Sequence, residues 1–358
     1  MTVTTERRNA DDVRRALAPW LAGKLPGQKV EGLQVAAPEG HGFSNDTLIL
    51  DAIVDGAPMS LVCQAAPTGP GLFPDYPIAR MANLQRDLRD HSDVPVANVR
   101  WLEEDPAVLG ARFYVMDKVE GDVPDESPVP YPAAGWVHEA TDPQRRTMWT
   151  SLLDAMAKLA RLDVREHFPY LTETRWGMSL DADAAPERVR QWREFTLWAS
   201  EGGMLPPTLM RAWDILDATT PRRPERLSIN WGDAKLGNVM YRDFRVVALF
   251  DWELCGVGPA EEDLMNQIAL DQVFATLFDR PSNWGFLSRV ETEHRYAELI
   301  GRELVGTVWW YAFALAKMAA EMHRMQLQAS KLTGQEAAVE SGSMQIVLSP
   351  LNEALAAL

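Results

Sequence analysis

Residues 231–238 read Trp231-Gly232-Asp233-Ala234-Lys235-Leu236-Gly237-Asn238, and after a short apolar stretch come Phe250-Asp251-Trp252-Glu253. These residue types are the ones phosphoryl transfer demands. A carboxylate must orient the attacking hydroxyl and take its proton, oxygen ligands must hold Mg²⁺ against the triphosphate, and a cation must offset charge on the transferring group. Asp233 and Asn238, five apart in a loop between two strand-like runs, can aim into one site. Asp251 closes the next apolar run, where it can share Mg²⁺ with Asn238; one amide and one carboxylate suit an ion that takes its other oxygens from water and phosphate. Lys235 is close enough to reach the transferring phosphate, although a solvated loop lysine is an equally plain reading. Asp, Gly and Asn are also favoured in tight turns. The placement of Asp251 directly after an apolar strand is what raises the site above a turn.

Several elements must position these groups. Val13, Leu17, Trp20 and Leu21 recur at helical spacing over residues 10–24. After a break at Pro26 and Gly27 the texture becomes β: FSNDTLILDAIV, an Asp55-Gly56 turn and MSLVCQA read as an antiparallel hairpin. Residues 77–90 read as a helix and RFYVMDKV (112–119) as a strand. Pro124, Pro128, Pro130 and Pro132 mark a loop, and Thr141-Asp142-Pro143 is a helix start with Pro in the first turn. The later runs LSINW, NVMY and RVVALFD are short strands set among helices, and a long helix is expected from Glu303 to Gln326. The resulting fold class is α+β: a small antiparallel β N-lobe with an opening helix (residues 1–118), a hinge near residues 116–121, and a large, mainly helical C-lobe (residues 119–358).

Composition narrows the function. The 358 residues carry 46% hydrophobic content, enough for two cores, and a net charge of −16. That balance argues against nucleic acid as partner and against a polybasic membrane anchor. Two cysteines, Cys63 and Cys255, far apart, exclude a disulfide scaffold and favour a reducing compartment. The N-terminal residues lack the apolar core of a signal peptide. The longest apolar run, 304–316, is closed by Lys317 and is too short to span a bilayer. The expectation is a cytoplasmic protein, monomeric or homodimeric, whose partners are a nucleotide and a small molecule. Acidic stretches such as Glu261-Glu262-Asp263 and residues 291–293 offer recognition of amines. Arg80, Arg86 and Arg89 offer a thin basic patch for an anionic acceptor.

The pattern D-x-x-x-x-N followed by D-W-E resembles the aminoglycoside phosphotransferase/choline kinase family of protein-kinase-like small-molecule kinases. The WGDA-x-x-GN form is similar to its subgroup related to the kinase domain fused to some acyl-CoA dehydrogenases. The likeness runs from about Gly40 to beyond Lys317. It includes Gly40-His41-Gly42-Phe43-Ser44-Asn45, Val115-Met116-Asp117-Lys118-Val119-Glu120-Gly121 and the stretches 94–110 and 287–304. The resemblance implies a bilobal protein-kinase-like fold, ATP as phosphoryl donor and Mg²⁺ as cofactor. It makes Asp233 the catalytic base, with Lys235 beside it, and Asn238 and Asp251 the metal ligands. The turn of Gly42, Phe43, Ser44 and Asn45 would cover the phosphates with its backbone N–H groups. The main chain around Met116, Lys118 and Val119 would hold adenine, and Asp263 would brace the catalytic loop. The acceptor stays open between an aminoglycoside-like polycation and another alcohol, a hydroxyacyl thioester among them.

Three departures from the family stand out. Trp231 replaces the catalytic-loop histidine. Glu253 stands where protein kinases have glycine, and fits either a group behind the metal site or an ion-pair partner. The N-lobe strand ends Leu61-Val62-Cys63-Gln64, with Gln64 in place of the Lys or Arg that holds the α- and β-phosphates, and no acid occurs at Met81-Ala82-Asn83, where its partner is expected. Glutamine donates hydrogen bonds but no charge. Arg80 or Lys235 would have to compensate, or the chain would be a catalytically weak, ligand-binding relative. His41 reads as an ordinary loop residue, Cys63 and Cys255 as inert, and Trp309-Trp310-Tyr311 as packing in the helical lobe.

Overall fold

The structure, a computed structural model, describes residues 8–38, 45–69, 71–126, 129–221, 226–281, 284–334 and 339–358. Helix α1 (Ala10–Lys24) is capped by the Asn9 side chain and buries Val13, Leu17 and Leu21. Strands β1 (Val30–Ala36), β2 (Asp46–Val54), β3 (Ala57–Ala65), β4 (Val99–Glu103) and β5 (Phe113–Asp117) form an antiparallel sheet in the order β1-β2-β3-β5-β4. The β2–β3 turn places Asp55 and Gly56 at φ +49° and +80°. Two left-handed residues give the turn whose twist matches that of the strands it joins. Side chains alternate across the sheet. Leu48, Leu50, Leu61, Cys63, Phe113 and Val115 share one core with α1. Tyr114 and Met116 face the other way and join the main core together with helix α2 (Ile78–His91).

The rest of the chain is mainly helical. It contains α3 (Trp136–Glu139), α4 (Asp142–Ala160), α5 (Val164–His167), α6 (Ala184–Ala199), α7 (Pro207–Ala218), α8 (Ala260–Leu277), α9 (Arg289–Ile300), α10 (Thr307–Thr333) and α11 (Gln345–Ala356). Helix α4 opens with the expected signal, a capping box between Thr141 and Gln144. Two small ladders lie among the helices, β6 (Leu227–Asn230) with β9 (Gly256–Pro259) and β7 (Val239–Arg242) with β8 (Arg245–Leu249). None of the described helices is long and apolar enough to cross a membrane.

Two expectations need correction. Helix α10 begins at Thr307 and not at Glu303, because Gly306 is left-handed at φ +63° and the Val305 N–H is held by Glu261 Oε1 at 2.9 Å. The acidic stretch Glu261-Glu262-Asp263 is not a surface for amines. All three residues are buried in the first turn of α8, and each is committed internally: Glu261 to Arg302 (2.5 and 2.8 Å), Glu262 to Arg188 (2.6 Å) and Asp263 to backbone amides. In 291–293, Glu291 caps α9 and Glu293 pairs with Arg289 at 2.7 Å.

The sheet and the helical part are also tied away from the hinge. Arg324 and Gln328 of α10 converge on the Gly71 carbonyl in the β3–α2 connection, with Gln328 Nε2 at 2.6 Å and Arg324 Nη2 at 3.1 Å. Arg324 and Gln328 are themselves buried.

Candidate active site

The loop between β6 and β7 is held from three sides. Asp263 accepts the Trp231 and Gly232 amides, one on each carboxylate oxygen, at 2.7 and 2.8 Å. Asn266 donates to the Ala234 carbonyl at 3.0 Å. Lys317, only 1% exposed, donates from α10 to the Gly232 carbonyl and to Asn266 Oδ1, the latter at 3.3 Å. Gly232 sits at φ +89°, where a Cβ would lie 2.3 Å from the Leu254 carbonyl oxygen, so only glycine fits. Trp231 Nε1 donates to the Phe250 carbonyl at 3.0 Å. The residue that replaces the family's histidine therefore fastens this loop to the backbone leading into Asp251.

Within this frame the expected residues meet. Asn238 Nδ2 donates to Asp233 Oδ2 at 2.8 Å and to the Asp233 carbonyl at 3.0 Å, while Lys235 Nζ lies 3.2 Å from the same carboxylate oxygen. Burial opposes ionisation of Asp233. Lys235 first and then Lys317, with the Asn238 amide, outweigh it and hold the carboxyl below its usual value. Burial likewise opposes charge on Lys235, but Asp233 and Glu126 raise its ammonium well above the ordinary lysine value. Asp251 has φ +64°, a left-handed conformation that a non-glycine residue adopts at a cost and that recurs at functional sites.

The donor set fits Mg²⁺. Asn238 spends its amide nitrogen on Asp233, which leaves Oδ1, the atom a metal needs. No donor among the described residues meets the Asp251 carboxylate. Burial and then the charge of Asp233 push that carboxyl up to about 7, with Lys235 opposing; a cation between the two groups would relieve this. Among the described residues no group of three or more His, Cys, Asp or Glu forms a separate metal cluster.

On the sheet side, Gly42, Phe43 and Ser44, with His41, lie outside the described residues. Asn45 is described, and its Nδ2 donates to Glu253 Oε2 at 2.8 Å. Glu253 is thus a buried tie between the residue just before β2 and the segment after Asp251. At the hinge, the Asp117 and Lys118 amides are taken by the Asn98 and Ser60 carbonyls at 2.9 and 3.2 Å, and Met116 lies within β5. Val119 is the first residue whose N–H lies beyond the sheet's hydrogen bonding. Arg80 has Cys255, Asp75 and Tyr170 as its electrostatic neighbours. Burial pushes the Cys63 thiol up to about 12 and the Cys255 thiol further, which makes both inert. Trp309 and Trp310 pack against Phe313 inside the helical part.

Gln64 is buried, and its Oε1 accepts the Tyr114 hydroxyl. The α2 residue on this network is Gln85, one turn beyond the expected 81–83, and its Nε2 donates to Tyr114 Oη at 3.0 Å. Sequence reasoning also missed Glu126, whose carboxylate lies 3.5 Å from Lys235 and occupies the space a side chain at Gly237 would need. It missed Glu321 as well, one turn after Lys317, whose charge acts on Asp233, Lys235 and Asp251. Lys317 had only the look of a polar residue ending an apolar run. None of these belongs to a local pattern, because each is brought in by a remote segment.

Comparison with known proteins agrees with this architecture. The model of the phosphotransferase enzyme family matches residues 36–299. IBR3 of Arabidopsis thaliana, named as a candidate acyl-CoA dehydrogenase, is 26% identical over 227 residues, covering 61% of this chain; the chain spans 26% of that protein's length. A candidate aminoglycoside phosphotransferase from Ralstonia eutropha JMP134 superposes with a TM-score of 0.66 at 20% identity, over 95% of this chain and 96% of the other. A thermostable mutant of aminoglycoside phosphotransferase APH(4)-Ia, in complex with ADP and hygromycin B, gives 0.55 at 13% identity, over 95% and 98%. At such identities the structural likeness speaks for the fold, and the family match, over well more than half of the chain, speaks for descent. The chain has a kinase-like fold and belongs to the phosphotransferase enzyme family.

Proposed function

We propose that the protein transfers the γ-phosphoryl group of ATP to a hydroxyl group of a small molecule. The observation that carries this reading is the meeting of Asn238 Nδ2 and Lys235 Nζ on one oxygen of Asp233, at 2.8 and 3.2 Å, with Asp251 beside them. Asp233 stays ionised at neutral pH and accepts the proton of the attacking hydroxyl. Lys235 neutralises charge on the transferring group. Asn238 and Asp251 would hold Mg²⁺, which when bound supplies charge neutralisation on the phosphates. The part up to residue 118 presents the nucleotide, with adenine against the main chain near Met116, Lys118 and Val119. The part from 119 carries the chemistry and the acceptor.

Glu126 Oε1 and Glu321 Oε1 are both buried without a hydrogen-bond partner among the described residues. They favour an acceptor that brings further hydroxyl or amino donors. The kinship with acyl-CoA dehydrogenase family proteins makes a hydroxyacyl thioester the alternative acceptor. Calorimetric titration of ATP with and without Mg²⁺, on wild type and Asp251→Ala, tests the nucleotide site. Mg²⁺-dependent binding that is lost in the variant is expected, and binding that persists there would refute the metal assignment. Asp233→Asn should keep nucleotide binding and lose transfer, and wild-type transfer in it would refute the base. Gln64, uncharged where the family places a cation, favours a second reading, a weakly active ligand-binding protein. That reading predicts a large gain of transfer in Gln64→Lys.

A further inference from the structure

The network around Gln64 has a direction. Gln85 Nε2 lies 3.2 Å from the Met81 carbonyl, one turn back on α2, and 3.0 Å from Tyr114 Oη. A carbonyl can only accept, so the Gln85 atom facing it must be the nitrogen, and Tyr114 must accept from Gln85. The single Tyr114 hydrogen is then left to donate, and it goes to Gln64 Oε1. That fixes the amide of Gln64: its oxygen points at Tyr114, and its two N–H donors are turned away from the network. Gln64 and Tyr114 face each other across the β3–β5 ladder, on the side of the sheet away from α1. The phenol lies within electrostatic reach of Asp251 and Glu253.

We infer that Gln85 and Tyr114 are positioning residues, a neutral one-way relay from the Met81 carbonyl that locks Gln64 with its amide hydrogens toward the α- and β-phosphates of the nucleotide. The inference rests on the ATP reading above. The relay performs by orientation what a lysine–glutamate pair performs by charge. It also accounts for the joint loss of cation and acid, since either one alone would be a buried charge without its counter-ion. Burial raises the Tyr114 phenol, with Gln85 opposing, so it stays a donor throughout the neutral range. Successive hydrogen bonds polarise one another, which strengthens the terminal amide as a donor. The grip on the phosphates from this side therefore carries no titrating group, and the cationic share falls to Lys235 and the metal.

The test is titration of Mg²⁺–ADP and of adenosine into wild type, Tyr114→Phe and Gln85→Leu, with thermal melting as a control on folding. Tyr114→Phe frees the Gln64 amide to rotate, and should weaken ADP binding by roughly fivefold to tenfold while adenosine binding stays within about twofold. Gln85→Leu should do the same, since it removes the donor that sets the relay's direction. General damage to the sheet would weaken both ligands together. Equal losses for ADP and adenosine, or no loss for either, would overturn the relay and leave the nucleotide reading standing. Wild type that binds neither ligand would overturn the nucleotide reading, and the relay with it.

Discussion

Lys317→Met is the most informative single substitution outside the loop. Methionine keeps the length of the side chain and its contact beside the Trp192 ring, whose centroid lies 5.3 Å from Nζ, but removes the charge and the donors. Two charge-assisted hydrogen bonds disappear, to the Gly232 carbonyl and to Asn266, a gross loss of about 3–6 kcal/mol. The cost of keeping an ammonium out of water, several kcal/mol, is relieved at the same time. What remains is mainly the buried Gly232 carbonyl without its partner, so the net loss is about 2 kcal/mol. With an unfolding entropy of about 2.1 cal/mol/K per residue, that lowers Tm by about 3 °C. The functional effect is separate. Lys317 follows Lys235 among the cations that hold the Asp233 carboxyl down, so its loss raises that carboxyl and moves the acid limb of kcat/KM to higher pH. Differential scanning calorimetry and a pH profile of ADP release at saturating acceptor measure the two effects. A variant with unchanged Tm and an unmoved acid limb would refute the role of Lys317.

Other substitutions test the frame. Asp271 accepts the Tyr131 hydroxyl at 3.0 Å, and burial pushes its carboxyl from 3.8 up to about 7. The unfolded chain ionises first, so this residue's contribution is most favourable below about pH 4 and is lost as pH rises to 7, by at most about 4 kcal/mol. Asp271→Asn should therefore be more stable than wild type at pH 8 in urea titrations, with the gap closing toward pH 4; a gap that does not vary with pH would contradict the burial argument. Arg188, 1% exposed, binds Glu262, the Trp176 and Val257 carbonyls and Gln191. Glu262→Gln should cost about 3–5 kcal/mol by leaving its charge unpaired, and a loss below about 1 kcal/mol in urea would show that the ion pair is not what holds it. Gly232→Ala must displace the Asp233 loop from Leu254, so transfer should fall below detection while adenosine keeps its affinity. Retained transfer would show that the loop tolerates the side chain.

The candidate site was legible in the sequence where one short segment holds most of its residues. Asp233, Lys235 and Asn238 are neighbours in the chain, and Asp251 follows a run of β-formers, so type and spacing were enough to expect that they meet. Asp263 was legible only through family likeness, since nothing local distinguishes it from Glu261 and Glu262, which turn to other partners. Gln85 and Tyr114 look like an ordinary helix polar group and an ordinary strand aromatic, and their meaning arises when α2 is laid against the sheet. The hairpin at Asp55-Gly56 was plain because the turn itself demands left-handed residues. Strand β9, Gly256-Val257-Gly258-Pro259, was not, because glycine and proline are depleted in strands and only pairing with β6 makes it one. The late start of α10 depends on Glu261, forty-four positions before Val305 in the chain.

Helix α10 holds two segments that are far apart in the chain. Lys317 grips the loop that carries Asp233, and seven residues further on Arg324 grips the β3–α2 connection at Gly71, a separation of about 10 Å along the axis that covalent geometry fixes. The helix is therefore a strut whose length cannot change. A tilt that carries one end carries the other, so the Asp233 loop and the β3–α2 connection travel in step. Widening between them requires a grip to let go. Mechanical strain applied to either segment should accordingly break the Gly71 clasp or the Gly232 contact before it bends the helix.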